Sequence, residues 1–263
     1  MGKQTEKPTI LLVNDDGIDA PGLRALVNAV SEVAEIAVVA PLVEKSAVGH
    51  AITLTDPLRV FKDTRFGDDI EAYAVKGTPA DCVKIACWAL LDRTPDMVIS
   101  GINLGSNTGI NTIYSGTVSA ATEGAILGIP SFAVSLTTFR NPDFSGAARF
   151  AAGFVPRLLE ETMPPGVYLN INVPAIPFDQ IKGVAVTRQG QALYREHYDR
   201  RLDPHGAVYY WLAGQKVDPE TDVDVDEGAI QAGYISVTPI HYDLTRYDFL
   251  DRLRGWDWEK SVS

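Results

Sequence analysis

The sequence predicts an α/β protein built on a mostly parallel sheet with helices on both faces. Three observations predict it. Short, unbroken apolar runs recur along the first two thirds of the chain, at 10–13, 36–40 and 97–99. Such runs belong to strands buried on both faces. Segments of helical period separate them, and proline or glycine marks the boundaries.

The first run, Ile10-Leu11-Leu12-Val13, ends abruptly in Asn14-Asp15-Asp16-Gly17. Residues 21–33 place Leu23, Leu26, Val27 and Val30 at helical spacing, with Asp19 and Pro21 as a start signal. Residues 36–40 form a second buried strand, broken by Pro41. Strand, helix and strand in this length make a βαβ unit with a right-handed crossover. Residues 43–50 are then a loop on the sheet edge that carries Asp15 and Asp16. Residues 52–60 and 71–75 read as extended, a hairpin on the sheet's flank. Thr78-Pro79-Ala80-Asp81 starts a helix running to about 91, so these residues are assigned to capping. A buried strand at 97–100 leads into the glycine-rich stretch 101–109. Tyr114-Ser115-Gly116-Thr117 enters an alanine-rich helix over 118–127, ended by Gly128 and Pro130. Strands follow at 131–136 and 168–173, around a helix at 145–160. From 183 onward strands shorten and polar residues are denser. Residues 207–212 are strongly β-prone, 218–227 read as a solvated acidic loop, 234–240 as a strand and 250–258 as an amphipathic tail helix. The expectation is one Rossmann-like α/β domain over 1–263. Its core spans about 9–182, and 183–263 is an extension with a β-rich arm and tail helix.

With 263 residues and 46% hydrophobic content, the chain can build one large α/β domain. A formal net charge of -11 makes it a poor binder of nucleic-acid polymers, which want clustered Lys and Arg. A small phosphorylated substrate held through a metal is not excluded. Cys82 and Cys87 are the only cysteines, without Cys-x-x-Cys spacing. They read as reduced, packed thiols of a cytoplasmic protein. The polar start, residues 1–9, has no apolar signal core, and Glu6 stands where a myristoylation site needs Ser or Thr. No apolar run is long enough for a membrane span.

Ligands of open α/β sheets bind beyond the carboxyl ends of strands. Asp15 and Asp16 sit at such an end and repel each other. Either one takes a proton or a cation lies between them. A hard cation with oxygen ligands, Mg²⁺ or Mn²⁺, resolves the repulsion. The competing reading is a turn or a helix cap. Ser46 is a candidate ligand or a turn residue. Asn103 offers a neutral oxygen to a cation or merely shapes a turn. The glycines of 101–109 fit neither the dinucleotide fingerprint nor the P-loop. Their backbone N–H groups, near Gly105 to Gly109 and with Asn107 among them, can still approach an anion. Ser115, Gly116 and Thr117 open a helix whose N-terminus favours phosphate; simple capping is the alternative. His50 is a proton donor or an ordinary loop histidine.

Several stretches together resemble one family, the SurE nucleotidases, also called survival protein E. They are Val13-Asn14-Asp15-Asp16-Gly17, Gly77-Thr78-Pro79-Ala80-Asp81-Cys82-Val83, Ser100-Gly101-Ile102-Asn103 and Tyr114-Ser115-Gly116-Thr117-Val118. Leu169-Asn170-Ile171-Asn172-Val173-Pro174 and Ser236-Val237-Thr238-Pro239 follow in order. The resemblance implies metal-dependent hydrolysis of nucleoside 5′-monophosphates, with 3′-monophosphates and short polyphosphate as further substrates. It implies one divalent ion per subunit, held by Asp15, Asp16, Ser46 and Asn103. Asp15 or Asp16 would also serve as base or nucleophile. It implies a homodimer or homotetramer joined partly through the arm, which 188–233 looks like. Many members carry Arg-Ser-Gly where this chain has Lys45-Ser46-Ala47; the serine is kept. Aspartyl-phosphate phosphatases also place acids after a first strand, but as Asp-x-Asp, whereas this pair is adjacent. A non-catalytic nucleotide-binding module is the remaining rival.

Overall fold

The computed structural model describes residues 7–191, 193–217 and 220–258. The polar start up to residue 6 and part of the acidic stretch, 218–219, lie outside the described residues. In chain order the elements are β1 (Thr9–Val13), α1 (Pro21–Val30), β2 (Glu35–Pro41), β3 (Val60–Asp63), β4 (Glu71–Val75) and α2 (Pro79–Ile85). β5 (Met97–Leu104), α3 (Asn111–Tyr114), α4 (Gly116–Ile126), β6 (Ser131–Leu136), α5 (Ser145–Glu160) and β7 (Val167–Val173) follow. The chain closes with β8 (Val184–Val186), β9 (Leu193–Leu202), β10 (Val208–Val217), α6 (Asp226–Gln231), β11 (Ile235–His241) and α7 (Tyr247–Arg254).

Among the described residues, nine strands form one sheet in the order β3-β4-β2-β1-β5-β6-β7-β11-β8. Pairings from β4 through β7 are parallel, while β3 and β11 attach antiparallel at the two flanks. The expected α/β fold is therefore present. The chain works outward from β1 to β4, then returns to place β5 on β1's other side. That reversal is a topological switch point, where such sheets open a ligand crevice.

Strand alternation sends successive side chains to opposite faces. Ile10 and Leu12 join the face covered by α1 and α5, and Leu11 and Val13 join the face covered by α2 and α4. This is why β1 reads as a continuous apolar run. On α4 small residues let the helix lie close; a Cβ on Gly124 would stand 3.0 Å from Ser131 Cβ and 3.1 Å from Val98 Cβ.

Some local expectations shift. α1 ends at Val30 and has no side-chain cap. Asp19 pairs with Arg65 instead. α2 continues as a π-turn over Ala86–Leu90. β5 runs past Gly101 through an irregularity between Ser100 and Asn103, so Asn103 stands on a strand, not a loop. Of the flanking hairpin only Val60–Asp63 pairs with β4, and 52–59 are irregular. The β-prone run at 207–212 is part of a ten-residue strand paired with β9, apart from the main sheet. The acidic stretch is not all solvated, because Asp226 is fully buried at the start of α6. The tail helix begins three residues earlier than expected and ends at Arg254.

Candidate active site

β1 ends at Val13, which pairs with Ser100 of β5, so the residues beyond both strands meet at the switch point. Asn14 is buried and braces the turn: its Nδ2 donates to Gly17 O at 2.9 Å, and its Oδ1 accepts the Gly17 N–H at 3.2 Å. For Asn14 the turn reading is therefore correct. Gly17 sits at φ 99°, a conformation that favours glycine, and there the chain leaves strand geometry. The loop then ties to β2, with Ile18 N donating to Pro41 O at 2.8 Å.

Asp15 lies buried against the N-terminus of α4. The Thr117 side chain donates to Asp15 Oδ1, and the Thr117 N–H donates to the same carboxylate. Gly116 permits this approach; a Cβ there would stand 2.7 Å from Asp15 Cβ. The helix end is therefore already taken by a carboxyl group, that of Asp15. Asp16 is half-buried and accepts the Leu104 N–H at the end of β5. Burial raises both carboxyls, Asp15 against the pull of its Thr117 bonds. Asp16 is pushed up to about 6, by burial first and then by the charges of Asp15 and Glu44.

Asp15, Ser46, Asn103, Gly105, Asn107 and Ser115 line one pocket of about 260 Å³, with Tyr114 and Phe139 at its wall. Asp16 does not line this pocket, although its neighbour Asp15 and its hydrogen-bond partner Leu104 do. Asn103 Nδ2 donates to Gly105 O at 2.7 Å, which leaves its oxygen for a ligand. The Ser46 hydroxyl donates to Glu44 Oε1 at 2.6 Å. Among the described residues no three His, Cys, Asp or Glu side chains gather as a metal cluster. Two carboxylates completed by neutral oxygens nevertheless suit a hard divalent cation. Two neighbouring acids raised by burial, Asp16 also by the charge of Asp15, are what such an ion would relieve.

The anion cradle differs from expectation. The N–H groups of Gly105, Asn107 and Gly109 are committed to Leu136 O, Asn172 Oδ1 and Asp226 Oδ2. Gly109, Gly116 and Thr117 do not line the pocket. Ser115 caps α4, accepting from Val118 N at 3.1 Å, so its hydroxyl proton remains available. His50 pairs with Glu123 at 2.8 Å, away from the pocket.

Sequence reasoning missed several supporting residues. Asn170 and Asn172 both donate to Asn107 O and hold that loop to the end of β7. Glu123, buried on α4, joins His50 to Lys84. Asp226 was hidden among the neighbouring acids of its stretch, and Phe139 carries no sequence signal.

The fold and site define an α/β protein with a paired-carboxylate pocket at the switch point of a parallel sheet. The family model Survival protein SurE matches residues 10–196, and the chain belongs to that family. It is 53% identical over 252 residues to 5′-nucleotidase SurE of Syntrophobacter fumaroxidans, spanning 94% of this chain and 99% of the relative. It is 54% identical over 246 residues to 5′-nucleotidase SurE of Syntrophus aciditrophicus, spanning 93% and 92%. The crystal structure of the SurE protein from Aquifex aeolicus aligns with a TM-score of 0.82 at 42% identity, over 94% of this chain and 98% of that one.

Proposed function

We propose that the chain is a 5′-nucleotidase, a metal-dependent phosphomonoesterase that hydrolyses nucleoside 5′-monophosphates to nucleoside and phosphate. In this reading 3′-monophosphates and short polyphosphate are secondary substrates. The observation that carries it is the adjacent pair Asp15 and Asp16, both raised by burial, at the switch point beside neutral oxygen donors. The names of the relatives agree with it. No observation favours a non-catalytic nucleotide-binding module.

Asp15, Asp16, Ser46 and Asn103 would hold one divalent ion per subunit, Mg²⁺ or Mn²⁺, which supplies electrophilic polarisation of the phosphoryl group. Thr117 and the α4 terminus orient Asp15 and offset part of the penalty that burial puts on its charge. Asp16, which accepts the Leu104 N–H, would take the proton of an attacking water. The Ser115 hydroxyl donates to a phosphoryl oxygen, with Asn107 on the same wall.

The β9–β10 hairpin exposes Tyr198, Tyr209, Tyr210 and Trp211. Such a surface serves as an arm for a homodimer or homotetramer. Both cysteines are free, which fits a reducing cytoplasm. Among the described residues no helix is long and apolar enough to cross a membrane.

The test is release of inorganic phosphate from AMP with and without EDTA. Release that EDTA abolishes and Mn²⁺ restores is expected. Release that persists in EDTA contradicts the metal, and no release with any divalent ion contradicts the enzyme.

A further inference from the structure

Two stretches of chain meet beside the pocket, the turn from Asp15 to Gly17 and the loop that follows β2. The loop is seated directly on the turn. Lys45 N donates to Asp15 O at 2.7 Å, and a Cβ on Gly17 would stand 3.3 Å from Glu44 N. Further along, Gly49 N donates to Tyr114 O at 2.9 Å, and His50 pairs with the buried Glu123 at 2.8 Å. Held at both ends, the loop carries Ser46 to the wall that it shares with Asp15 and Asn103.

These anchors bring the Ser46 hydroxyl to the wall but do not aim it. A serine hydroxyl has one proton and two lone pairs, and it turns to suit its partners. Only a lone pair can bind a cation, so a hydroxyl that points its proton at the ion is no ligand. Glu44 takes that proton: Ser46 Oγ donates to Glu44 Oε1 at 2.6 Å, a short bond to a charged acceptor. The Ser46 lone pairs are then left for the pocket. Glu44 itself is exposed and does not line the pocket, so it stands behind Ser46.

An acid at position 44 is costly in the ion-free site. Burial raises Asp15, and burial with the Asp15 charge raises Asp16; the Glu44 charge pushes both in the same direction. A divalent cation turns the same negative charge into attraction. An uncharged acceptor would hold the Ser46 proton without the repulsion, and the acid makes sense beside a cation.

Resting on the metal-dependent reading, we propose that Glu44 is a positioning residue of the ion site. It holds the Ser46 proton away from the ion, so that Ser46 meets the ion as a pre-aimed neutral oxygen. Glu44 touches neither ion nor substrate. Partners that orient a ligand from behind change ion affinity by roughly 10- to 100-fold when removed.

The test titrates Mn²⁺ by calorimetry into EDTA-stripped Glu44→Gln and Glu44→Ala. Both variants lose the charge, and only Gln keeps an oxygen that accepts from Ser46. Comparing them therefore isolates the hydrogen bond. Glu44→Ala is expected to bind Mn²⁺ about tenfold more weakly than Glu44→Gln. In a Ser46→Ala background there is no hydroxyl to aim, and the two should agree within about twofold. Equal affinities with Ser46 present overturn the proposal. So does a tenfold gap that persists in Ser46→Ala, because Glu44 would then only shape the loop. If wild type binds no divalent ion, the metal-dependent reading fails and the proposal fails with it. Wild-type binding with no gap between the two variants sinks the proposal alone.

Discussion

Replacing Asp16 by Asn should stabilise the ion-free protein at alkaline pH while removing its activity. Asn keeps an oxygen for the Leu104 N–H, so the turn loses no acceptor. The carboxyl of Asp16 moves from its ordinary 3.8 to about 6 in the folded chain, through burial and the charges of Asp15 and Glu44. The folded state thus holds this proton more tightly than the unfolded chain. The cost of ionising Asp16 is absent below pH 3.8, grows between 3.8 and about 6, and is complete above 6. At about 1.4 kcal/mol per pH unit, the rise corresponds to about 3 kcal/mol. Asp16 is only half-buried, and solvent screening reduces the figure to roughly 1.5 kcal/mol. Urea melts in EDTA at one protein concentration should show Asp16→Asn more stable by about 1.5 kcal/mol at pH 8. The gap should shrink to roughly a third of that at pH 4.5, where little of the cost has developed. With Mn²⁺ at a hundredfold excess over its dissociation constant, wild type gains about 2.7 kcal/mol and the order reverses. An ion-free Asp16→Asn that is less stable than wild type by 1 kcal/mol or so at pH 8 would refute the reasoning. Asp16 would then be a structural turn acid.

Three further outcomes are expected. Thr117→Val removes the hydroxyl that orients Asp15 and takes one hydrogen bond from a buried carboxyl, at a cost of about 1–3 kcal/mol; Mn²⁺ affinity measured by calorimetry should fall, and an unchanged affinity would show that Thr117 does not position Asp15. AMP should have a higher kcat/KM than ATP, because the pocket lining contains no Lys or Arg to hold a triphosphate chain; equal values would show a phosphate contact outside that pocket. Light scattering at micromolar concentration should give at least a dimeric mass, and a monomer would leave the exposed hairpin aromatics without a role.

Strands were legible because burial on both faces leaves little beyond apolar residues, as in β1 and β2. The adjacent acids were legible because two charges at a strand end need an explanation that local structure alone supplies poorly. The cradle was not legible. Whether a backbone N–H is free depends on what faces it, and Leu136, Asn172 and Asp226 come from elements remote in sequence. Helix rules made the start of α4 a phosphate site, but Asp15 takes the Thr117 N–H first. Asp19 looked like a cap and is an ion-pair partner of Arg65. Asp226 looked solvated because its neighbours are acidic, and only the folded chain shows the two glycine N–H groups it holds. β5 outran its apolar signal because Gly101 masks a strand that continues through an irregularity.

The central claim is that the Asp15–Asp16 pocket binds one divalent ion and that turnover depends on it. Titrating Mn²⁺ into EDTA-stripped protein, with binding read by calorimetry and AMP hydrolysis assayed on the same samples, tests this directly. The account predicts one ion per subunit, turnover rising in step with occupancy, and neither signal in Asp16→Asn. Full turnover before any ion binds, or wild-type binding and turnover in Asp16→Asn, would contradict it.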